Sequence, residues 1–192
     1  RGSRGIHLTP LYRNKCSLFL CVVLGALIAA LLYNLASRNL DYAGIWFDEA
    51  AQFWIAQGLS PYADPFSDPA GLLQVIKFNN RANLDPGGFS ILLHWWTMAG
   101  KSISMLRTLP FLFLLLAMLS LGLLAWRWTR NRLFAITATA LPLCYSGITY
   151  FAFEVRAYSM EMAGLAVCTL VFVRSLDKPS LFQAALLGMA GA

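Results

Sequence analysis

Long apolar runs alternate with short basic segments along most of this chain. Cys16 to Ala36, Thr108 to Trp126 and Leu133 to Phe153 are uncharged, and a bilayer-crossing helix takes about 20 mostly apolar residues. A fourth run, Ala157 to Val173, is shorter and carries one acid, Glu161. A fifth (181–192) opens at Leu181 and is still apolar at Ala192. At about 1.5 Å per residue it is too short to cross a hydrocarbon core of about 30 Å. The chain is therefore expected to be the N-terminal part of a longer protein, and the lack of an initiator Met points the same way at the other end. The first run exceeds the ~7–15-residue apolar core of a cleavable signal, and Tyr33-Asn34-Leu35 is a poor cleavage site, so it reads as an uncleaved helix. Pro142 is expected to kink the third.

Between the first two runs lies a breaker-rich loop, about 37–106. A loop that long is expected to hold structure of its own. A helix is predicted from Asp48 to Gly58, with Phe47, Ala51 and Trp54 forming one apolar face. Pro61, Pro65 and Pro69 then interrupt the chain, with Tyr62 and Phe66 as interfacial anchors. A short helix is predicted over Leu72 to Phe78, then a polar turn, Asn79-Asn80-Arg81-Ala82-Asn83. Asp85-Pro86-Gly87-Gly88-Phe89 opens a further helix to about Met98. It is too short to span, and Trp95 and Trp96 suit headgroup depth, so it reads as interfacial.

Composition confirms the class. The chain is 58% hydrophobic and 12% charged, against roughly 25% charged in soluble domains. The net charge of +6 invites a nucleic-acid reading, but its distribution opposes one. Arg1, Arg4, Arg13 and Lys15 precede the first run. Arg127, Arg130 and Arg132 separate the second and third, and Arg174 and Lys178 separate the fourth and fifth. All fall on one side if the helices alternate, which is the positive-inside bias. The N-terminus is then cytoplasmic and the 37–106 loop outside. Cys16, Cys21, Cys144 and Cys168 lie in or beside apolar runs, with no disulfide or metal spacing, and read as small buried residues.

Two adjacent acids, Asp48 and Glu49, stand just after the first span, flanked by Trp46 and Phe47. As first-turn acids they suit a helix N-terminus. As chemistry they read as a general base and a partner that orients an acceptor or a metal, with desolvation tuning the base upward. On the same side come Glu154, Arg156 and Tyr158. Arg156 has the forked donors that bind phosphate, and an ordinary ion pair is its plainer reading. Glu154, Tyr158 and Glu161 recur at helical spacing and are expected to share one face, with Glu161 about one turn inside the membrane. Arg107 reads as an interfacial anchor, with Pro110 in the tolerated first turn of the second span. His94 reads as a packing residue.

In order, Phe47-Asp48-Glu49-Ala50, Asp85-Pro86-Gly87-Gly88-Phe89, Leu106-Arg107-Thr108-Leu109-Pro110 and Glu154-Val155-Arg156-Ala157-Tyr158 resemble the N-terminal portion of a GT-C superfamily membrane glycosyltransferase. The closest branch is the protein-mannosyltransferase and aminoarabinose-transferase-like group, and the resemblance covers nearly all of residues 16–175. It implies an all-α polytopic membrane protein with a GT-C-type bundle and interfacial helices in the first extracytoplasmic loop. It also implies inverting transfer of a sugar from a polyprenyl-phosphate donor to a lipid, glycan or protein acceptor, with no nucleic-acid partner. On the family pattern, Asp48 is the base or acceptor-positioning group and Glu49 its neighbour in catalysis. Arg156, or Arg107, binds the carrier phosphate, and Glu154 and Tyr158 border the site. A divalent metal ion is left open as a cofactor. The family's usual His-Pro-Pro-type turn is replaced by Asp85-Pro86-Gly87-Gly88, so the role of that His is in doubt and Asp85 is a weaker acceptor or metal contact. A bacterial inner membrane is the preferred location. A transporter or flippase of a lipid-linked sugar, and a non-catalytic subunit of a larger membrane complex, are the alternatives.

Overall fold

Apolar length decides the three largest elements. In the computed structural model, which describes residues 10–42, 44–60, 70–82, 87–177, 180, 185 and 188, these are α1 (Pro10–Asn39), α5 (Ile103–Thr129) and α8 (Tyr158–Asp177). Within them Ser17–Asn39, Ile103–Thr129 and Tyr158–Leu176 are long and apolar enough to cross a membrane. Helix α1 leaves Leu18, Phe19, Val22 and Leu27 exposed, a surface suited to lipid rather than water. Helix α5 is central, packing on α8 and on α6 (Arg132–Ala140), which also meets α1. Ser102 caps α5 by accepting from the Met105 N–H at 3.2 Å.

The run Leu133 to Phe153 departs from expectation. It is not one helix but α6, a 3-10 turn over Leu141–Cys144 and the short α7 (Ser146–Phe151). Pro142 has no N–H, and its ring clashes with the carbonyl four residues back. The backbone becomes extended at Tyr145, so the expected kink is a full break. Helix α5 starts at Ile103, which places Pro110 beyond the first turn.

The loop between α1 and α5 holds α2 (Phe47–Ala56), α3 (Leu72–Ala82) and α4 (Gly87–Trp96). Helix α3 continues to Ala82, through Asn79-Asn80-Arg81-Ala82 of the segment read as a polar turn. Asn79 is buried there because its Oδ1 accepts from the Ser90 Oγ–H at 2.6 Å, and Ser90 accepts from Gln52 Nε2 at 2.7 Å. That network turns α2 around. Its buried face is Glu49, Ala51, Gln52, Ile55 and Ala56, while Phe47 is exposed. The predicted Phe47–Ala51–Trp54 face is thus corrected: the buried polar residues find partners inside, and an aromatic is left out. His94 holds α4 to α2 with a 2.7 Å hydrogen bond from Nδ1 to the Ala56 carbonyl. The expectations for Tyr62, Phe66, Pro61, Pro65, Pro69 and Asp85, and nearly all of the fifth run, lie outside the described residues.

Two apolar cores organise the bundle. One joins Ala56, Phe89, Leu93, Leu106, Leu109, Val155 and Ala157. The other joins Ile28, Leu114, Met118, Ala152 and Phe153. Residues 152–157 enter both, and all six are buried although the backbone there is not helical.

Helix α2 ends in a tight reversal. Gly58 sits at φ +71°, with its N–H on the Ile55 carbonyl at 2.8 Å and the Leu59 N–H on the Trp54 carbonyl at 3.0 Å, a Schellman cap. A Cβ at Gly58 would lie 2.7 Å from the Ala70 carbonyl oxygen. Gly58→Ala is expected to destabilise the protein by at least ~1–2 kcal/mol, the left-handed penalty for a residue with a Cβ, measurable as a lower thermal unfolding midpoint. An unchanged midpoint would show that this reversal tolerates a side chain.

Candidate functional site

Asp48, Glu49, Glu154, Arg107 and Arg156 gather at one end of the bundle, where α1 ends, α2 and α5 begin, and the 152–157 segment leads into α8. The basic cluster lies at the opposite end. There Arg127 and Arg130 line one pocket with Val173 and Leu176, and Arg132 lines another with Cys21 and Trp126.

Glu49 is 2% exposed. Its Oε2 accepts from Arg107 Nη2 at 3.0 Å and its Oε1 from Arg107 Nε at 3.3 Å. Oε1 also accepts the Val155 backbone N–H at 3.0 Å. Arg107 spends its remaining donors on backbone carbonyls: Nη1 on Asn39 at 3.3 Å and Tyr42 at 2.8 Å, and Nη2 on Gly44. A guanidinium has five N–H donors, and all five are used. Arg107 thereby caps the C-terminus of α1, whose last carbonyls have no helical partner, while Glu49 supplies the acceptor that Val155 lacks in its irregular segment. Both residues are structurally saturated.

Asp48, one position earlier, is different. Its side chain is 35% exposed and its Oδ2 lies 2.9 Å from Arg156 Nη1. Arg156 is buried, with its guanidinium carbon 5.5 Å from the centre of the Tyr158 ring, a cation–π distance. Helix α2 thus directs successive acids apart, Glu49 into the protein and Asp48 towards a partly open surface.

Glu154 is the third acid. It is 5% exposed, and no hydrogen bond of standard geometry reaches either oxygen. Burial raises its pKa above the ordinary 4.5; the Tyr150 hydroxyl, a donor outside that geometry, opposes the rise, and the Glu49 charge adds to it. Desolvation thus acts on Glu154. Glu154 also precedes α8 and does not share a face with Tyr158, and Glu161 is exposed in the first turn of that helix. A cleft of about 230 Å³ beside Glu154 and Arg107 is walled by Tyr42, Trp46, Tyr150 and Phe153.

The structure therefore brings together Asp48, Glu49, Arg107, Glu154, Arg156 and Tyr158; Asp85 is outside the described residues. Among the described residues no group of three or more His, Cys, Asp or Glu side chains is arranged to hold a metal ion. Sequence reasoning missed the Glu49–Arg107 pairing and the Tyr150 wall. An arginine at the start of an apolar helix needs a counter-charge, and that signal pointed to an acid in the preceding loop. No protein-family model, curated protein or solved structure matches this chain.

Removing one partner of a buried ion pair leaves an uncompensated charge and costs about 3–5 kcal/mol. Glu49→Ala and Arg107→Ala are each expected to lose that much, whereas Asp48→Asn, which keeps an oxygen facing Arg156, is expected to lose about 1 kcal/mol. Equal losses at positions 48 and 49, measured by denaturant unfolding in detergent, would contradict this division.

A carboxyl whose pKa is raised on folding binds its proton more readily in the folded state. Its contribution to stability therefore falls as pH rises from 4.5 through the raised folded value. Glu154→Gln is expected to flatten that decline and to be no less stable than the parent above it. A variant whose thermal midpoint follows the parental pH profile would show that Glu154 does not carry it.

Proposed function

We propose that this chain belongs to a GT-C-type inverting glycosyltransferase. It moves a sugar from a polyprenyl-phosphate donor to an extracytoplasmic lipid, glycan or protein acceptor, with Asp48 as the base. The observation that carries this reading is the Asp48–Arg156 pair. A partly exposed carboxylate is held by a buried guanidinium, at the end of the bundle opposite the basic cluster. On the positive-inside bias that end is extracytoplasmic and the N-terminus cytoplasmic, in a multi-pass protein of a bacterial inner membrane.

The chemistry divides among the residues. Glu49 and Arg107, with every donor of Arg107 taken, hold the framework and do not meet the substrate. Arg156 faces the donor phosphate as its forked cation. A phosphate that engages Arg156 competes with Asp48 for its donors and leaves the carboxylate open to the acceptor hydroxyl. Donor binding then prepares the base that takes the acceptor proton. Tyr158, against Arg156, keeps the guanidinium in place. Asp85 remains an acceptor contact by resemblance alone.

The mutual pairing of Asp48 with Arg156 and Glu49 with Arg107 favours a second reading, a non-catalytic membrane subunit whose acids only hold helices together. Sugar transfer by the reconstituted protein separates the two. Asp48→Asn is expected to lower transfer by at least ~10²-fold, as for loss of a general base, with the protein still folded. Full activity in that variant would remove Asp48 from the chemistry, and no transfer by the parent with any lipid-linked sugar would favour the subunit reading.

A further inference from the structure

The cleft beside Glu154 holds an acid that the nearby guanidiniums do not pair. Among the described residues three carboxylates, Asp48, Glu49 and Glu154, meet two guanidiniums at this end. Arg107 is bound to Glu49 and Arg156 to Asp48, and the Arg156 charge reaches Glu154 without a hydrogen bond to it. Glu154 is 95% or so removed from solvent at 5% exposure, and neither oxygen has a hydrogen bond of standard geometry. A carboxylate in that position requires either a proton or a cation.

The walls favour an organic cation. Tyr42, Trp46, Tyr150 and Phe153 line the cleft with Glu154, and aromatic walls around an acid are the setting in which alkylammonium groups bind. The volume, about 230 Å³, is well above the ~10–15 Å³ one water needs. Arg107 also lines it, but its five donors are taken by Glu49 and three backbone carbonyls and its charge is matched by Glu49. Trp46 and Tyr150 are 49% and 63% exposed, so their side chains can shift to admit a group without disturbing a core. At this end of α1 the cleft lies where lipid headgroups meet the protein on the membrane-spanning reading.

We propose that this cleft binds an organic ammonium group, with Glu154 as its counter-charge and Trp46 and Tyr150 as its aromatic walls. The group is either the headgroup of an ethanolamine or choline lipid or a soluble amine of the same chemistry. The inference does not rest on the transferase reading, since it needs no reaction at Asp48.

The test uses the full chain in nanodiscs of phosphatidylglycerol, titrated calorimetrically with choline chloride or ethanolamine hydrochloride against sodium chloride of equal ionic strength. A parallel series carries increasing phosphatidylethanolamine and is read by native mass spectrometry for retained lipid. Saturable binding of the free amines identifies a soluble ligand, and retention of phosphatidylethanolamine alone identifies a headgroup. Either supports the proposal if Glu154→Gln weakens it at least tenfold. Trp46→Leu, which removes a half-exposed side chain and is expected to leave the fold intact, should weaken it several-fold and serves if Glu154→Gln does not fold. The proposal is overturned if neither ligand series binds above the sodium control, or if binding is unchanged in the variants. These outcomes are read without sugar transfer, so failure here leaves the Asp48 assignment standing, and loss of that assignment leaves this one.

Discussion

The Arg107 guanidinium enters the protein in the opening turns of an apolar helix, and it has five N–H bonds to satisfy away from bulk water. Glu49 takes two of them and three backbone carbonyls at the end of α1 take the rest. Glu49 in turn holds the Val155 N–H. One buried pair thus fixes four pieces of chain that are far apart in sequence: the end of α1, the start of α2, the start of α5 and the turn before α8. Buried ions are costly unless every donor and acceptor is met, so this arrangement admits little slack. The turn at 152–157 can be irregular and fully buried because a carboxylate replaces the carbonyl that a helix would have offered its amide.

That constraint also sorts the remaining acids. With Glu49 committed inward, its neighbour Asp48 is directed to a partly open surface, where Arg156 meets it. Glu154, carried by the same buried turn, is desolvated without a full set of partners. Three carboxylates within one small region therefore have three environments: saturated, accessible and strained by burial. Groups separated in this way are the ones on which acid–base or binding chemistry is built.

Much of the fold was legible from the sequence because apolar length is a strong signal. The runs at 16–36 and 108–126, and all of 157–173 but Ala157, lie in helices long enough to span. The run 133–153 misled, since hydropathy alone does not register the backbone consequences of Pro142. Helix α2 misled for another reason. The periodicity of Phe47, Ala51 and Trp54 is real, but Gln52 and Glu49 are drawn inward by Ser90 and Arg107, partners that lie far along the chain and leave no local trace. The same holds for the site. The adjacent acids and the Glu154–Arg156 segment were visible as residues near the membrane, yet which acid pairs with which arginine depends on how α2 is rotated against α5. No spacing rule supplies that rotation.

The dependence of distant segments on Glu49 is most directly tested by hydrogen–deuterium exchange on the detergent-solubilised chain, comparing the parent with Glu49→Gln. Backbone amides around Tyr42 and those of 152–157 should lose protection together, while the interior of α5 keeps its own. Unchanged exchange in both segments, or a loss confined to one of them, would contradict the view that this single pair holds them.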